Sequence, residues 1–217
     1  MSIKVGLQYI EKWKESLELQ VCRYEEEPVV KGQIVFYGAS NFTRWSARWG
    51  RTPLQEAVPG KSGAPCAVNR GFGSSCAEHQ LYYYPRMVRP LAPKVLVYAP
   101  FGNYRAFGYS LEETWFLAQR VIAYAQTDFP DLRIYLCGPQ YHRDVTAEAA
   151  KLAQRSNALL REYVKDHPNC FFVNVFDHAP LHDKALFVAD GVHYTQEGYD
   201  RYAEFFKEAL KEELAEF

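Results

Sequence analysis

The 217-residue chain is 48% hydrophobic and 24% charged, enough for one sizeable core and long for two, so a single domain is expected. Its 25 Lys plus Arg meet 26 Asp plus Glu, a balance that gives no field to hold a nucleic-acid backbone or an anionic membrane surface, and neither is expected as a partner. No apolar run approaches the roughly 18 residues of a membrane-spanning helix. The opening MSIKVGLQYIEKWK is broken by charge where a signal peptide would be apolar, which predicts a cytoplasmic chain. Cysteines at 22, 66, 76, 137 and 170 form no CxxC pair and read as reduced packing residues, not as a disulfide framework or a zinc site.

Ile3, Leu7, Ile10, Trp13, Leu17, Val21 and Tyr24 recur at steps of three and four, the repeat of one apolar helix face. They predict an N-terminal helix over 3–24, docked on the domain or on a second subunit of a homo-oligomer. Residues 1–32 are therefore read as a helical extension and 33–217 as the domain. The extension is expected to matter for packing and to be dispensable for chemistry. Beyond it, short apolar runs alternate with longer helical stretches. The runs are IVFYG (34–38), CAVN (66–69), KVLVYA (94–99), RIYLC (133–137) and CFFVNV (170–175), each β-branched or aromatic and ended by a turn signal. The helical stretches cover 75–88, 110–127, 144–167 and 195 to the end. Ser110 with Glu113 reads as a capping box, and Thr195 with Gly198 as a helix start. Strand alternating with helix predicts a three-layer α/β/α domain with a parallel sheet covered on both faces.

In such a sheet, sites collect beyond the strand C-termini. The first strand leads into Gly38-Ala39-Ser40-Asn41, a small-residue turn that exposes a hydroxyl. The second leads into Asn69-Arg70-Gly71-Phe72-Gly73-Ser74-Ser75, a flexible loop that aims backbone N–H groups at the edge. The third leads into Gly102-Asn103-Tyr104, and the fifth reaches Asp190-Gly191-Val192-His193 just before the last helix. Taken singly these are ordinary turn residues. Together they bring a hydroxyl, an imidazole with a carboxylate, an amide and a glycine-rich loop to one edge. A serine hydroxyl becomes a nucleophile when an imidazole takes its proton, and the imidazole works when a carboxylate fixes its tautomer. Asp190 and His193, three apart in a tight loop, can meet at little ordering cost.

The blocks FYGASNFTRW, VNRGFGSS, VYAPFGNY and ADGVHYTQEGYDRYA resemble the SGNH, or GDSL-type, hydrolase family over roughly residues 33–210. The resemblance implies a flavodoxin-like five-stranded parallel sheet and ester hydrolysis without metal or cofactor. It casts Ser40 as nucleophile, His193 as base and Asp190 as its partner, with an oxyanion hole made by the N–H groups of Ser40 and Ser74 and the side chain of Asn103. Two residues depart from the family pattern: Ala39 stands where relatives often have Asp, and Ser74 where they have glycine. If the strand order is 2-1-3-4-5, Ser40 lies between the other two donors.

Arg44 and Trp45, close to the serine in sequence, are candidate substrate contacts, and Gly73 is a third and could supply an N–H in place of Ser74. The tyrosines at 82–84 and Trp49 read as core or interface. Asp177-His178 and His182-Asp183 place two histidines four apart, a spacing metal sites use on helices, but Pro180 argues against a regular helix, and they read as neutral, solvated loop residues. The expectation is a serine ester hydrolase working through an acyl-enzyme on small-molecule esters such as acetylated sugars or metabolites. Its acidic limb should lie near the histidine reference of about 6.5 or be raised by Asp190. Two alternatives stay open: a non-catalytic flavodoxin-like binding protein with a decayed site, and an acyltransferase using the same serine.

Overall fold

The computed structural model describes residues 14–217; the predicted helical positions Ile3, Leu7, Ile10 and Trp13 lie outside them. In chain order the elements are α1 (Lys14–Glu25), β1 (Ile34–Gly38), α2 (Ser40–Thr43), α3 (Leu54–Ala57), β2 (Ala67–Gly71), α4 (Ala77–Met87), β3 (Val95–Tyr98), α5 (Leu111–Asp128), β4 (Arg133–Cys137), α6 (Ala147–Lys165), β5 (Cys170–Val173), α7 (Gln196–Ala209) and α8 (Lys211–Leu214). The five strands form one all-parallel sheet in the order β2-β1-β3-β4-β5. Crossovers right-handed by default place helices on both faces. Ser40, just beyond β1, which lies between β2 and β3, thus starts a helix at the point where the strand order reverses.

Because successive side chains point to opposite faces, each strand contributes to two cores. Ile34, Phe36, Val95 and Val97 join Phe42, Trp45, Leu54, Tyr199, Tyr202 and Phe206 on the side of α2, α3 and α7. Val35, Tyr37, Leu96 and Tyr98 join Leu17, Val21, Tyr83, Tyr84, Val121 and Leu160 on the side of α1, α4, α5 and α6. Leu17 and Val21 of α1 are fully buried there, so the described part of the apolar stripe is covered by the chain itself. No helix of the described residues is long and apolar enough to cross a membrane.

Some boundaries differ from the sequence reading for local reasons. On the sheet edge β2 runs on to Gly71, because Asn69, Arg70 and Gly71 pair with Phe36, Tyr37 and Gly38 of β1, while the Asn69 side chain donates to the carbonyls of Phe42 and Trp45 at 2.6 and 3.2 Å. α6 starts at Ala147, where the Thr146 hydroxyl accepts from Ala149 N–H at 3.1 Å. The last helix breaks at Leu210 into α7 and α8. Gly71 is required by close approach, since a Cβ there would lie 2.5 Å from Phe42 Cβ and Thr43 N. That absence of a side chain lets the β2 exit lie directly against α2.

Candidate active site

The nucleophile candidate is placed by a turn with no spare bulk. Ala39 breaks the strand, and Ser40 opens α2, whose first amide groups have no intrahelical acceptor. Across the crevice, Asp190 folds its own loop: Oδ1 accepts from the N–H groups of Val192 and His193, both at 2.9 Å, with Gly191 at a φ of 70°. The turn brings His193 Nδ1 to 2.8 Å from Asp190 Oδ2. His193 Nε2 lies 2.8 Å from Ser40 Oγ across 153 residues of sequence. With Nδ1–H donated to the carboxylate, the free lone pair of Nε2 accepts from the hydroxyl, the arrangement a general base needs.

Electrostatics set the resting charges. Burial works to raise the Asp190 pKa, but the backbone N–H groups of His193 and Val192 and the His193 ring outweigh it, holding the carboxyl well below the usual range. Burial also pushes the His193 imidazole below its ordinary value. Its hydrogen bond to Asp190 works the other way, and the Arg44 charge adds to the lowering. The expected rise of this pKa by Asp190 is therefore corrected: burial, together with Arg44, outweighs the carboxylate.

Arg44 Nη1 donates to Asp190 Oδ2 at 3.0 Å, and its guanidinium sits 4.5 Å from the centre of the Trp49 ring. It braces the carboxylate from the C-terminal end of the nucleophile's helix. Trp45 is fully buried, stacked on Tyr199 and Tyr202 at 5.5 and 5.4 Å, so its candidacy as a substrate contact fails. Over α2 the chain turns far enough to send the residue after Arg44 into the core.

Gly73 and Ser74 are the central residues of a turn closed by Ser75 N–H to the Phe72 carbonyl at 3.3 Å. Gly73 N–H donates to Gln20 Oε1 of α1 at 2.6 Å, which takes Gly73 out of contention as a donor in place of Ser74. Ser74, at a φ of 67°, leaves its N–H without an acceptor among the described residues. Its side chain is exposed. Asn103 also has a positive φ, 55°, and donates from Nδ2 to the Ser75 carbonyl at 2.9 Å. An amide carries two such hydrogens, so one remains. Ser40 and Asn103 line one cavity.

That cavity, about 370 Å³, lies on the β3 and β4 side of Ser40. Phe101, Tyr104, Val145, Ala149, Leu152 and Phe176 give it an apolar wall. His142 and Gln140, which the sequence reading passed over, line it as well. Both follow β4 at the same sheet edge, a positional signal that could have found them. Gln140 donates to the Val192 carbonyl at 2.8 Å, and Arg143 N–H to the Gly191 carbonyl at 2.8 Å, so the β4 exit holds the Asp190 loop in place. His178 packs on Phe205 and His182 stacks on Tyr141. Both histidines are half-buried, with Asp177 and Asp183 exposed beside them, and no cluster of metal-ligating side chains occurs among the described residues.

No family model and no curated protein matches the sequence. Solved structures match the fold. A Streptococcus pneumonia protein whose description refers to platelet activating factor is 22% identical, with a TM-score of 0.75 over 95% of this chain and 97% of its own. A GDSL-like lipase from Bacteroides thetaiotaomicron is 19% identical at a TM-score of 0.64 over 93% and 98%. A variant of an acetyl xylan esterase from Geobacillus stearothermophilus is 14% identical at a TM-score of 0.60 over 83% and 96%. These likenesses establish the three-layer fold of the SGNH/GDSL hydrolases.

Proposed function

We propose that the protein is a serine ester hydrolase that works through an acyl-enzyme. The observation that carries this reading is the chain of two 2.8 Å contacts from Ser40 through His193 to Asp190. Neighbours described as a lipase and an esterase support the same chemistry. His193 Nε2 takes the proton as Ser40 Oγ attacks the acyl carbon. Asp190 balances the imidazolium, and the negative charge that develops on the carbonyl oxygen meets Ser40 N–H, Ser74 N–H and the free Asn103 N–H. His193 then protonates the departing alcohol, and a water deprotonated by the same ring releases the acid. Apart from the ester and the water that hydrolyses it, the groups this cycle uses are side chains and backbone amides of this chain.

The cavity refines the substrate. It begins at Ser40, is walled mostly by apolar side chains, and at about 370 Å³ has room for more than an acetyl group. The acyl part is therefore read as an apolar chain of several carbons bound against α6, with the alcohol left toward solvent. The five cysteines are free and four of them buried, an arrangement suited to a reducing, cytoplasmic setting.

Hydrolysis of p-nitrophenyl esters by the wild-type protein and Ser40→Ala tests the reaction. Turnover should vanish in the variant with circular dichroism unchanged. Retention of most activity would remove Ser40 as the nucleophile.

A further inference from the structure

The helix expected to be dispensable for chemistry reaches the oxyanion loop. Gln20, on α1, straddles one residue of that loop: its Oε1 accepts from Gly73 N–H at 2.6 Å and its Nε2 donates to the Gly73 carbonyl at 3.3 Å. Nearby, Tyr24 OH donates to the Gly71 carbonyl at 2.6 Å, and Arg70 donates to Glu27 at 2.6 Å. The Gly73 carbonyl and the Ser74 N–H belong to one planar peptide unit, with C=O and N–H pointing in opposite directions. Whatever fixes the carbonyl therefore fixes the aim of the N–H.

The turn makes that aim unstable on its own. With φ positive at Ser74 and not at Gly73, the Phe72–Ser75 turn has the type II pattern, which wants glycine at its third position. Rotating the central peptide by half a turn gives type I, in which a serine is at ease at that position. The rotated peptide would turn the Gly73 carbonyl oxygen toward the place where the Ser74 N–H had pointed. Serine in place of the family's glycine thus favours the form that cannot stabilise an oxyanion.

We infer that Gln20 is a positioning residue that holds the Gly73–Ser74 peptide in its active orientation, compensating for serine at position 74. The inference rests on the reading of Ser74 N–H as an oxyanion donor. It assigns the N-terminal helix a part in the chemistry through a single amide, while Leu17 and Val21 dock that helix by burial.

The test is a double-mutant cycle on the full chain, with kcat and KM measured on a p-nitrophenyl ester and melting temperature recorded for each variant. Gln20→Ala should lower kcat about 10-fold with KM little changed. In the Ser74→Gly background the same change should cost no more than about 2-fold, because glycine adopts the positive φ unaided. Gln20→Leu, which keeps the stem and loses both hydrogen bonds, should behave as Gln20→Ala does. An unchanged kcat in Gln20→Ala, a loss confined to KM, or the same loss in both backgrounds would overturn the inference. If the wild type is active and Ser40-dependent in those cases, the ester-hydrolase reading stands without it. If Ser40→Ala is as active as wild type, that reading falls first.

Discussion

Two loops flank Ser40, one after β2 and one after β3, and in the proposed oxyanion hole each presents a donor from a non-glycine residue at positive φ. The β3 loop would use Asn103, a residue type that tolerates the left-handed region, and secures its amide across the crevice on the Ser75 carbonyl of the β2 loop. The β2 loop uses Ser74, for which that conformation costs about 1–3 kcal/mol, and secures its peptide from outside, through Gln20 on α1. The difference teaches that a side-chain donor can be aimed by its neighbours in the same crevice, whereas a backbone donor is aimed by whatever fixes the peptide plane.

The largest effects should come from removing either donor. Asn103→Ala should lower kcat about 100- to 1000-fold with little change in KM. Ser74→Pro deletes the N–H and should lose as much, with circular dichroism confirming the fold. Ser74→Gly keeps the N–H and should be close to neutral. A large loss in Ser74→Gly would mean that the serine hydroxyl takes part, and a mild Asn103→Ala would mean that the β3 loop supplies no donor.

A middle-sized effect is expected at the cavity wall. Ala153, on α6 and 4% exposed, lines the cavity, so Ala153→Leu fills acyl space. Rates on p-nitrophenyl esters of increasing acyl length should shift toward the shortest chain, by about 10-fold in relative kcat/KM between butyrate and acetate. An unchanged preference at unchanged melting temperature would put the acyl chain elsewhere.

The smallest effect concerns pH. His193 must be neutral to accept the serine proton, and its pKa lies below the ordinary histidine value, so the fall in kcat/KM on acidification should come below about pH 6.5. Arg44→Met removes a positive charge that disfavours the imidazolium, and should move this limb to higher pH. A limb that stayed in place or moved to lower pH would show that Arg44 does not set the charge balance at Asp190 and His193.

Much of this was legible in the sequence. Runs 34–38 and 133–137 are strands to the residue, because both are interior strands, paired on each side, and sharply ended. Asp190 and His193 were legible because their contact is made within one tight turn. The rest depended on distance or direction. A four-residue α2 is too short to show a period, so nothing marked Trp45 as inward-facing. Gln20 meets Gly73 across 53 residues, and one glutamine on an amphipathic helix carries no trace of its partner. Ala149, Leu152 and Ala153 form an apolar face, but the sequence cannot distinguish a face toward a cavity from one toward a core.

The central claim is that Ser40 is an activated hydroxyl. Intact-mass analysis after treatment of the folded protein with a small fluorophosphonate tests it most directly. The account predicts one adduct, mapped to Ser40, absent from Ser40→Ala and strongly slowed in His193→Ala. No adduct on the folded wild-type protein, or an adduct that persists in Ser40→Ala, would contradict it.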